Sequence, residues 1–458
     1  VCAGAADGYA RMKGLPAATL LHLGPGLANA LSNFHNARKA RSPVVNIVGE
    51  HATGHLKYDA PLTADVEAFA RPVSGWVRTA DSPRHIGAAA AECVRASLGP
   101  PGQVASLIIP ADYSWSEAGG LGAVVERPAR RLPENARVDR AAELLRRGEG
   151  VGILLGGGAV CERGLRAAAR TGARVYLNRY AGRAPRGRPW AFAPRVPYFP
   201  EPAAEMLAGL EHMILVEAAA PVSFFGYPGM RSTLAPEGCR MHVLAEEGED
   251  GVAALEALAA GRAPAMEGPG AEAPGDGPLT PETIGLILAQ LLPEGAIVSD
   301  EMVSSGEAVN QGLNRAAAHD LLPVTGGSIG QGLPVAVGAA MACPGRKVFA
   351  LEADGSAMYS LQALWTMARE GLDIPVVIFS NRRYRILDVE MKRTGAGAIG
   401  PRAEQMIDIG EPAIDWVRLA GSLGMEAARA ETAGRFAELV RAAVRSKGPF
   451  LIEAALER

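Results

Sequence analysis

The sequence predicts an α/β protein made of three Rossmann-like or doubly wound domains with parallel sheets. Short apolar runs alternate with helix-length segments along most of the chain, which is the rhythm of βαβ units. The 458 residues are enough for about three domains. Proline-rich segments at residues 119–134 and 263–278 separate the blocks, which we delimit as 1–118, 135–262 and 279–458.

Composition excludes several partners. The net charge of −3 leaves no basic footprint for nucleic acid or an anionic membrane, so we expect neither partner. No apolar run reaches the length of roughly 18 residues that a membrane span needs. The five cysteines are scattered without C-x-x-C spacing, which favours free thiols in a reducing, cytoplasmic setting over disulfides or a zinc site.

The first block predicts a helix that Gly14 ends, then a buried strand at Ala17–Leu23 and a tight turn at Gly24-Pro25-Gly26. His22 and Asn29 flank that turn. An isolated histidine at a strand end is more often structural, although imidazole is a side chain well suited to proton transfer. Asn29 could contact a ligand or cap the next helix. The remaining predicted elements of this block are a helix over Leu27–Ala40 and strands at Val44–Gly49, Val73–Thr79 and Gln103–Ile109.

His51 and His55 lie four residues apart after the strand at Val44–Gly49. This spacing could place two metal ligands on one helix face. No third ligand is near them in the sequence, so solvated loop histidines are the favoured interpretation.

The middle block predicts a Rossmann-like domain. Its strand at Val151–Leu155 leads into Gly156-Gly157-Gly158, which could cradle a dinucleotide pyrophosphate. A G-x-G-x-x-G pattern with a downstream acid is absent, so a structural turn is favoured and FAD is possible but unsupported. Phe224, Phe225 and Tyr227 could line a substrate pocket, although an aromatic cluster is usually core. Further strands are predicted at Ala173–Asn178, Met213–Val216 and Met241–Ala245.

The third block carries the strongest motif. Two apolar runs, Lys347–Glu352 and Ile374–Ser380, are followed by Asp354-Gly355-Ser356 and by Asn381. Ligands bind beyond the carboxyl ends of parallel strands. Carboxylate and amide oxygens suit Mg²⁺, and a glycine followed by a serine at a helix start suits a phosphate.

The spacing of 27 residues between Asp354 and Asn381 resembles the diphosphate-binding motif of thiamin diphosphate enzymes. In the first block, A-A-D-G-Y-A-R, L-H-L-G-P-G-L-A-N and S-P-V-V-N-I-V-G-E resemble the pyrimidine-binding domain of the acetolactate synthase and benzoylformate decarboxylase group. The resemblance implies pyrimidine-binding, middle and diphosphate-binding domains in that order. It also implies a lyase or transferase that cleaves or forms the C–C bond beside the carbonyl of a 2-oxo acid.

Roles for individual residues follow from this resemblance. His22 would transfer protons with the substrate, and Ile329 would press the two cofactor rings into a V shape while the Gly327 carbonyl receives the pyrimidine amine. The metal ligands would be Asp354, Asn381 and the carbonyl of Arg383. The residues expected to bind thiamin diphosphate are Asn29, Ser304, Gly327, Ser328, Ile329, Gly355, Ser356 and Tyr384.

The chain also departs from the family pattern. Ala353 replaces the first glycine of the diphosphate motif, Ser223–Gly229 lacks the second histidine of the benzoylformate decarboxylases, and no tryptophan follows Asn381 as in the acetolactate synthases. Decarboxylation and carboligation therefore both stay open, as does the identity of the 2-oxo acid.

Two further expectations concern completeness and assembly. The family's activating glutamate precedes the D-G-Y-A-R aspartate, here Asp7, by enough to fall just upstream of Val1, so we expect the chain to begin inside its first domain. The family builds each site from two subunits, so a homodimer or homotetramer is expected. The alternatives are a nucleotide-binding Rossmann-type protein or oxidoreductase, or a non-catalytic remnant that binds cofactor without the activating glutamate.

Overall fold

The computed structural model describes residues 1–259, 261, 268, 270–272 and 274–457. It confirms an α/β fold with parallel sheets. Much of the predicted linker at 263–278 lies outside the described residues, and the division into domains at the predicted boundaries stays a prediction. Within the described residues, no helix is both long and apolar enough to cross a membrane.

The first sheet has the strand order β1-β2-β4-β3, with every neighbouring pair parallel. Strand β4 is buried along nearly its whole length, as expected for a parallel sheet covered by helices. Its strands are β1 (Ala17–His22), β2 (Val44–Glu50), β3 (Trp76–Thr79) and β4 (Val104–Pro110), and its helices are α1 (Cys2–Lys13), α2 (Leu23–Ala28), α3 (Leu31–Lys39), α4 (Val66–Ala70) and α5 (Ile86–Leu98).

The tight turn predicted at Gly24-Pro25-Gly26 is wrong, because these residues lie inside helix α2. Proline is accepted in the first turn of a helix, where its missing N–H leaves no bond unmade. The single helix predicted over Leu27–Ala40 is also wrong, since the chain breaks it after Ala28 and resumes at Leu31. Gly14 ends α1 with a φ of 65°, as predicted.

The middle sheet has the order β6-β5-β8-β9 and is also parallel. Strands β5 and β8 are wholly buried at its centre. Its strands are β5 (Val151–Leu155), β6 (Arg174–Leu177), β8 (His212–Val216) and β9 (Arg240–Ala245), and the helices of this region are α6 (Asn135–Arg147), α7 (Glu162–Ala169), α8 (Pro200–Met206) and α9 (Gly251–Leu258).

The third sheet has the order β14-β15-β13-β12-β10-β11-β7. Its edge strand β7 (Ala184–Arg186) comes from the middle block and pairs antiparallel with β11, which the sequence did not predict. The other six strands are all parallel to one another: β10 (Ile297–Glu301), β11 (His319–Pro323), β12 (Val348–Ala353), β13 (Pro375–Ser380), β14 (Glu426–Ala430) and β15 (Phe450–Ala455).

Helices cover both faces of this sheet. The predicted start at Thr280-Pro281 is confirmed, because the Thr280 side chain accepts the N–H of Thr283 in a capping box. The helices are α10 (Pro281–Leu291), α11 (Gly306–Leu313), α12 (Gly332–Ala342), α13 (Asp354–Ala357), α14 (Gln362–Arg369), α15 (Arg385–Arg393), α16 (Pro401–Ile407), α17 (Trp416–Ser422) and α18 (Ala433–Arg445). Short 3₁₀ turns occur along the chain at Leu56–Tyr58, Pro83–His85, Ala111–Trp115, Gly157–Ala159, Arg188–Trp190 and Val303–Ser305.

Helices α1 and α12 join the first and third sheets at glycine contacts. A Cβ at Gly8 would lie 2.1 Å from the carbonyl oxygen of Val335, and one at Gly338 would lie 1.8 Å from that of Ala5. Only glycine permits the two backbones to approach so closely. The two sheets are therefore held in a fixed relation by this helix pair.

Candidate active site

One edge of the third sheet gathers most of the predicted site residues. Strands β13, β12, β10 and β11 are consecutive neighbours and parallel, so their carboxyl ends open on the same side. The side chains and loops that follow these strands are Asn381 after β13, Asp354 after β12, Ser304 after β10 and the Gly326–Ile329 loop after β11.

Asp354 and Asn381 form the centre of this edge. Both are buried, with 2% and 5% exposure. The Asp354 carboxylate accepts the N–H of Gly355 at 2.8 Å through Oδ1 and the N–H of Arg382 at 2.6 Å through Oδ2. The Asn381 Oδ1 accepts the N–H of Arg383 at 2.9 Å. The two strand-end loops are thus tied together through the aspartate.

Among the described residues, Asp354 forms no ion pair, although the nearby Arg382 charge lowers its pKa a little. Burial raises the pKa of its carboxyl to about 6, and the N–H bonds from Arg382 and Gly355 only partly oppose this. A carboxylate has about four lone-pair positions, and these two bonds use two of them. A buried carboxylate beside an amide oxygen, with lone pairs to spare, fits a divalent cation on chemical grounds.

Non-glycine residues in the left-handed region follow several strand ends. Arg382 has a φ of 58°, Val303 of 49° and Leu23 of 58°, and each stands next to a predicted site residue. Such conformations cost free energy and persist where the surroundings impose them, often at functional sites.

Tyr384 closes one side of the Asp354 loop. Its ring lies against Gly355, where a Cβ would be 2.5 Å from Cε1. Its hydroxyl donates to the Gly355 carbonyl at 3.4 Å. Ser356 is buried and donates a hydrogen bond to Glu301, so in this structure its hydroxyl serves the interior of the protein. A phosphate role for that hydroxyl stays a prediction.

The Gly326–Ile329 loop contributes the other half of the edge. Gly327 has a φ of 75°, which favours glycine, and a Cβ there would lie 2.4 Å from Cζ of Phe224. Ser328 and Ile329 are half-buried, so Ile329 is not part of the core. Ser304 is exposed in the 3₁₀ turn that follows β10, which packs beside α15.

Two buried glutamates beneath this loop were not predicted. Glu301 and Glu352 are register partners on β10 and β12, with 1% and 0% exposure. Glu301 accepts the N–H groups of Gly330 at 2.6 Å, Gln331 at 2.8 Å and also Gly332. Burial raises the pKa of Glu301 to about 7, and burial together with the Glu301 charge raises that of Glu352 well above its usual value. The only sequence signal was an acidic residue at the end of an apolar run.

Aromatic residues from the middle block form a wall beside Gly327. The Phe224 ring centroid lies 5.1 Å from that of Tyr198 and 5.9 Å from that of Tyr180. Phe224 and Phe225 remain 36% and 50% exposed, so part of each ring is open to solvent, whereas Tyr227 is buried. Glu390 on α15, also missed by the sequence analysis, accepts the hydroxyls of Tyr227 at 3.1 Å and Tyr198 at 3.3 Å.

His22 and Asn29 lie at the carboxyl edge of the first sheet, whereas Asp354 lies at the carboxyl edge of the third. Both are exposed. The first block reaches the third sheet instead through α1 and α3. Among the described residues, the hydrogen bonds from the first block to the predicted site run from α3 to the Gly326–Ser328 loop.

The Gly156–Gly158 turn is hydrogen-bonded to a carboxylate from another part of the middle block. Glu217, which follows β8 with a φ of 50°, accepts the Gly158 N–H at 2.9 Å and pairs with Arg130 at 2.7 Å. This occupies a donor that a nucleotide phosphate would need. An open cavity of about 570 Å³ lies next to the turn.

His51 and His55 lie in a loop and not on one helix face, with ring centroids 5.4 Å apart. Across the described ranges, no three histidine, cysteine or acidic side chains are grouped to hold a metal ion. All five cysteines are free.

Two protein-family models, one for each end of the same kind of enzyme, match this chain. "Thiamine pyrophosphate enzyme, N-terminal TPP binding domain" matches residues 1–69, and "Thiamine pyrophosphate enzyme, C-terminal TPP binding domain" matches residues 308–454.

Individual relatives agree with this. A Mycobacterium tuberculosis protein, IlvX, whose name assigns it only provisionally as an acetolactate synthase large subunit, is 48% identical over 99% of this chain and 89% of its own length. The benzoylformate decarboxylase of Pseudomonas aeruginosa is 27% identical over 98% of this chain and 89% of its own. The structure of the 4-hydroxybenzoylformate decarboxylase of Rhodococcus jostii RHA1 superposes with a TM-score of 0.86 at 24% identity, covering 99% of this chain and 90% of that one.

Proposed function

The chain belongs to the thiamine pyrophosphate enzyme family, and from this we propose that it uses thiamin diphosphate with Mg²⁺ to cleave or form the C–C bond beside the carbonyl of a 2-oxo acid. The observation that carries the proposal is that two buried oxygen-bearing side chains, Asp354 and Asn381, follow adjacent strands of the third sheet. Family membership sets aside the alternative of a Rossmann-type protein that works without thiamin.

In this proposal, Asp354, Asn381 and the Arg383 carbonyl hold Mg²⁺, which in turn holds the diphosphate. Oxygen donors of this kind are those Mg²⁺ prefers, with water and phosphate completing the octahedron. The buried, unpaired charge of Asp354 supports the assignment because a divalent cation would balance it. Gly355, Ser356, Ser304 and Tyr384 are the proposed neighbours of the cofactor at this edge.

The Gly327–Ile329 loop would receive the ring end of the cofactor. The left-handed, exposed Gly327 and the half-buried Ile329 support this, because neither residue is buried in the core. When bound, thiamin diphosphate supplies a nucleophilic carbon and an electron sink for the bond beside the carbonyl. The protein's own contribution is to orient the substrate and to hold or move protons, for which we propose His22.

We further propose that a second copy of this chain completes each site. His22 and Asn29 are exposed at the edge of the first sheet, whereas Asp354 lies at the edge of the third. A symmetric dimer would allow the first sheet of one copy to face the third sheet of the other.

A more specific candidate is decarboxylation of a 2-oxo acid with an aromatic side chain. The exposed Phe224 and Phe225 rings beside Gly327 favour it, since an aromatic wall binds a flat apolar group well. The related decarboxylases are named for aromatic substrates of this type, whereas IlvX is named for acetolactate synthesis.

The test combines binding with product analysis. Thiamin diphosphate with Mg²⁺ should raise the melting temperature, and EDTA should reverse the rise, whereas NAD or FAD should have little effect. Carbon dioxide release and carboligation products are then measured with pyruvate and with benzoylformate. Absence of thiamin diphosphate binding would refute the proposal, and binding without turnover of any 2-oxo acid would favour a non-catalytic cofactor-binding protein.

A further inference from the structure

The Gly326–Ser328 loop is fastened by a side chain from the opposite end of the sequence. Asn36, on helix α3, is 1% exposed. Its Nδ2 donates to the Ser328 carbonyl at 2.7 Å, and its Oδ1 accepts the N–H of Gly326 at 3.1 Å and that of Ser328 at 3.2 Å. Its main-chain carbonyl accepts the Thr325 hydroxyl at 2.7 Å.

These bonds use both functions of the amide and bracket Gly327. An amide has one acceptor oxygen and one donor nitrogen, and here both contact backbone on either side of the glycine. None of the four bonds involves the Gly327 carbonyl, and Gly327 itself is exposed. The loop is therefore held while its central carbonyl stays available.

Neighbouring groups extend the attachment. His35 Nε2 lies 3.1 Å from the Gly326 carbonyl oxygen. The buried Arg11 guanidinium donates to the Pro323 carbonyl at 2.8 Å and to the Thr325 hydroxyl at 3.1 Å. From below, Glu301 accepts the N–H groups of Gly330 and Gln331. The loop is thus fixed between the first block and β10.

We propose that Asn36 is a positioning residue that sets the Gly327 carbonyl and the Ile329 side chain for the cofactor, an inference that rests on the proposed function. Asn36 itself is buried behind the loop and acts through it. The consequence is that a residue with no expected contact to the cofactor controls the rate of the chemical step.

The first experiment needs neither cofactor nor substrate. Hydrogen–deuterium exchange is measured for the peptide spanning 324–332 in the cofactor-free protein and in its Asn36→Ala, Asn36→Asp and Asn33→Ala variants. Asn33 is the matched control, because it lies on the same helix and its buried Oδ1 has no hydrogen-bond partner among the described residues. Asn36→Ala should speed exchange of the Gly326 and Ser328 amides by about tenfold or more, since it deletes their acceptor. Asn33→Ala should not.

The second experiment separates positioning from binding. In Asn36→Ala, kcat should fall by about 10- to 100-fold while the affinity for thiamin diphosphate with Mg²⁺ changes by less than about threefold, because the Asp354 and Asn381 contacts are untouched. Asn36→Asp keeps an acceptor for the two N–H groups but replaces the donor to Ser328 by an oxygen that repels the Ser328 carbonyl, so it should also disturb the loop and lower kcat, and it carries the test if Asn36→Ala does not fold.

Unchanged exchange in both Asn36 variants, or faster exchange with unchanged kcat, would overturn the inference. An equal fall in kcat for Asn33→Ala would overturn it too, by reducing the effect to general destabilisation of α3. Failure of the proposed function would look different, since the unaltered chain would then not bind thiamin diphosphate.

Discussion

The carboxylate of Asp354 accepts a 2.6 Å hydrogen bond from the main-chain N–H of Arg382, the residue directly after Asn381. This bond joins the loop after β12 to the loop after β13. Arg382 itself has a left-handed conformation with a φ of 58°, and Asn381 precedes it at the end of the neighbouring strand. The two proposed metal ligands therefore act as one preassembled unit.

Replacing Asp354 by alanine should remove binding of thiamin diphosphate with Mg²⁺. The change deletes a charged oxygen ligand and frees the Arg382 N–H, so affinity should fall by more than about 100-fold in calorimetric titration. Asp415→Asn is the control, because Asp415 caps α17 and pairs with exposed Arg418 at 3.3 Å, and asparagine caps a helix equally well. Wild-type affinity in Asp354→Ala would refute the metal assignment.

Complementation should reveal whether two copies share each site. His22→Ala and Asp354→Ala should each be inactive alone, yet co-expression should restore up to about a quarter of the wild-type sites, because one site of each mixed dimer is free of both changes. Light scattering should give at least a dimer. A site made within one chain would show no restoration, and a monomer with full cofactor binding would contradict the proposal outright.

Phe224→Ala should change which 2-oxo acids are accepted. Removal of the ring leaves space beside Gly327, so the ratio of kcat/KM for a bulky over a compact aromatic substrate should rise by about tenfold. Phe225→Ala serves as control, since its ring packs edge-on against Phe224 at 4.7 Å and should have a weaker effect. Identical profiles for the two variants would contradict a specificity role for Phe224.

His319 should make the protein less stable in mild acid. Burial lowers the pKa of this histidine to about 4, whereas the unfolded chain titrates near 6.5, so only the unfolded state takes up a proton between these values. The free energy of unfolding should therefore fall by about 3 kcal/mol as pH drops from about 6.5 to 4. His319→Asn can keep the bond to the Ala317 carbonyl and should lose this part of the pH dependence. The free energy of unfolding is measured by denaturant titration for both proteins at pH 7.5 and 4.5. An equal decrease between these pH values in the two proteins would show the prediction to be wrong.

Gly338→Ala should destabilise the chain strongly. The added methyl group would meet the Ala5 carbonyl oxygen at 1.8 Å, and a backbone atom cannot move aside as a side-chain end can. A loss of about 2 kcal/mol or more is expected in denaturant unfolding. Gly421→Ala, in helix α17 with open space around it, should instead gain about 0.5–1 kcal/mol. A loss below about 0.5 kcal/mol for Gly338→Ala would contradict the close approach of α1 and α12.

Sequence patterns were sufficient where local structure decides the outcome. The apolar runs before Asp354 and Asn381 are β12 and β13, and the rule for carboxyl ends of parallel strands correctly predicted that both residues follow neighbouring strands at the same edge. The turn at Gly24-Pro25-Gly26 was mispredicted because glycine and proline also fit the first turn of a helix.

Residues whose role depends on packing between distant segments could not be found this way. Asn36 stands in a polar stretch of α3 with no motif, and its partners lie about 290 residues further on. In the sequence, Glu352 is a single acidic residue in an apolar strand. Its pairing in register with Glu301, which makes the two a buried pair, is visible only in the structure. Strand β7 was missed because three residues give too little periodicity for a prediction.

The pairing of β7 with β11 has a consequence for the order of events during synthesis. The ribosome releases Ala184–Arg186 long before His319–Pro323, and α1 emerges long before its partner α12. The middle sheet, with strands confined to residues 151–245, can close while the third sheet is still incomplete. We therefore expect the edge around Asp354 to be among the last parts to form. Until α12 is synthesised, the surface of α1 around Gly4 and Gly8 stays exposed on the nascent chain, where a chaperone could bind it.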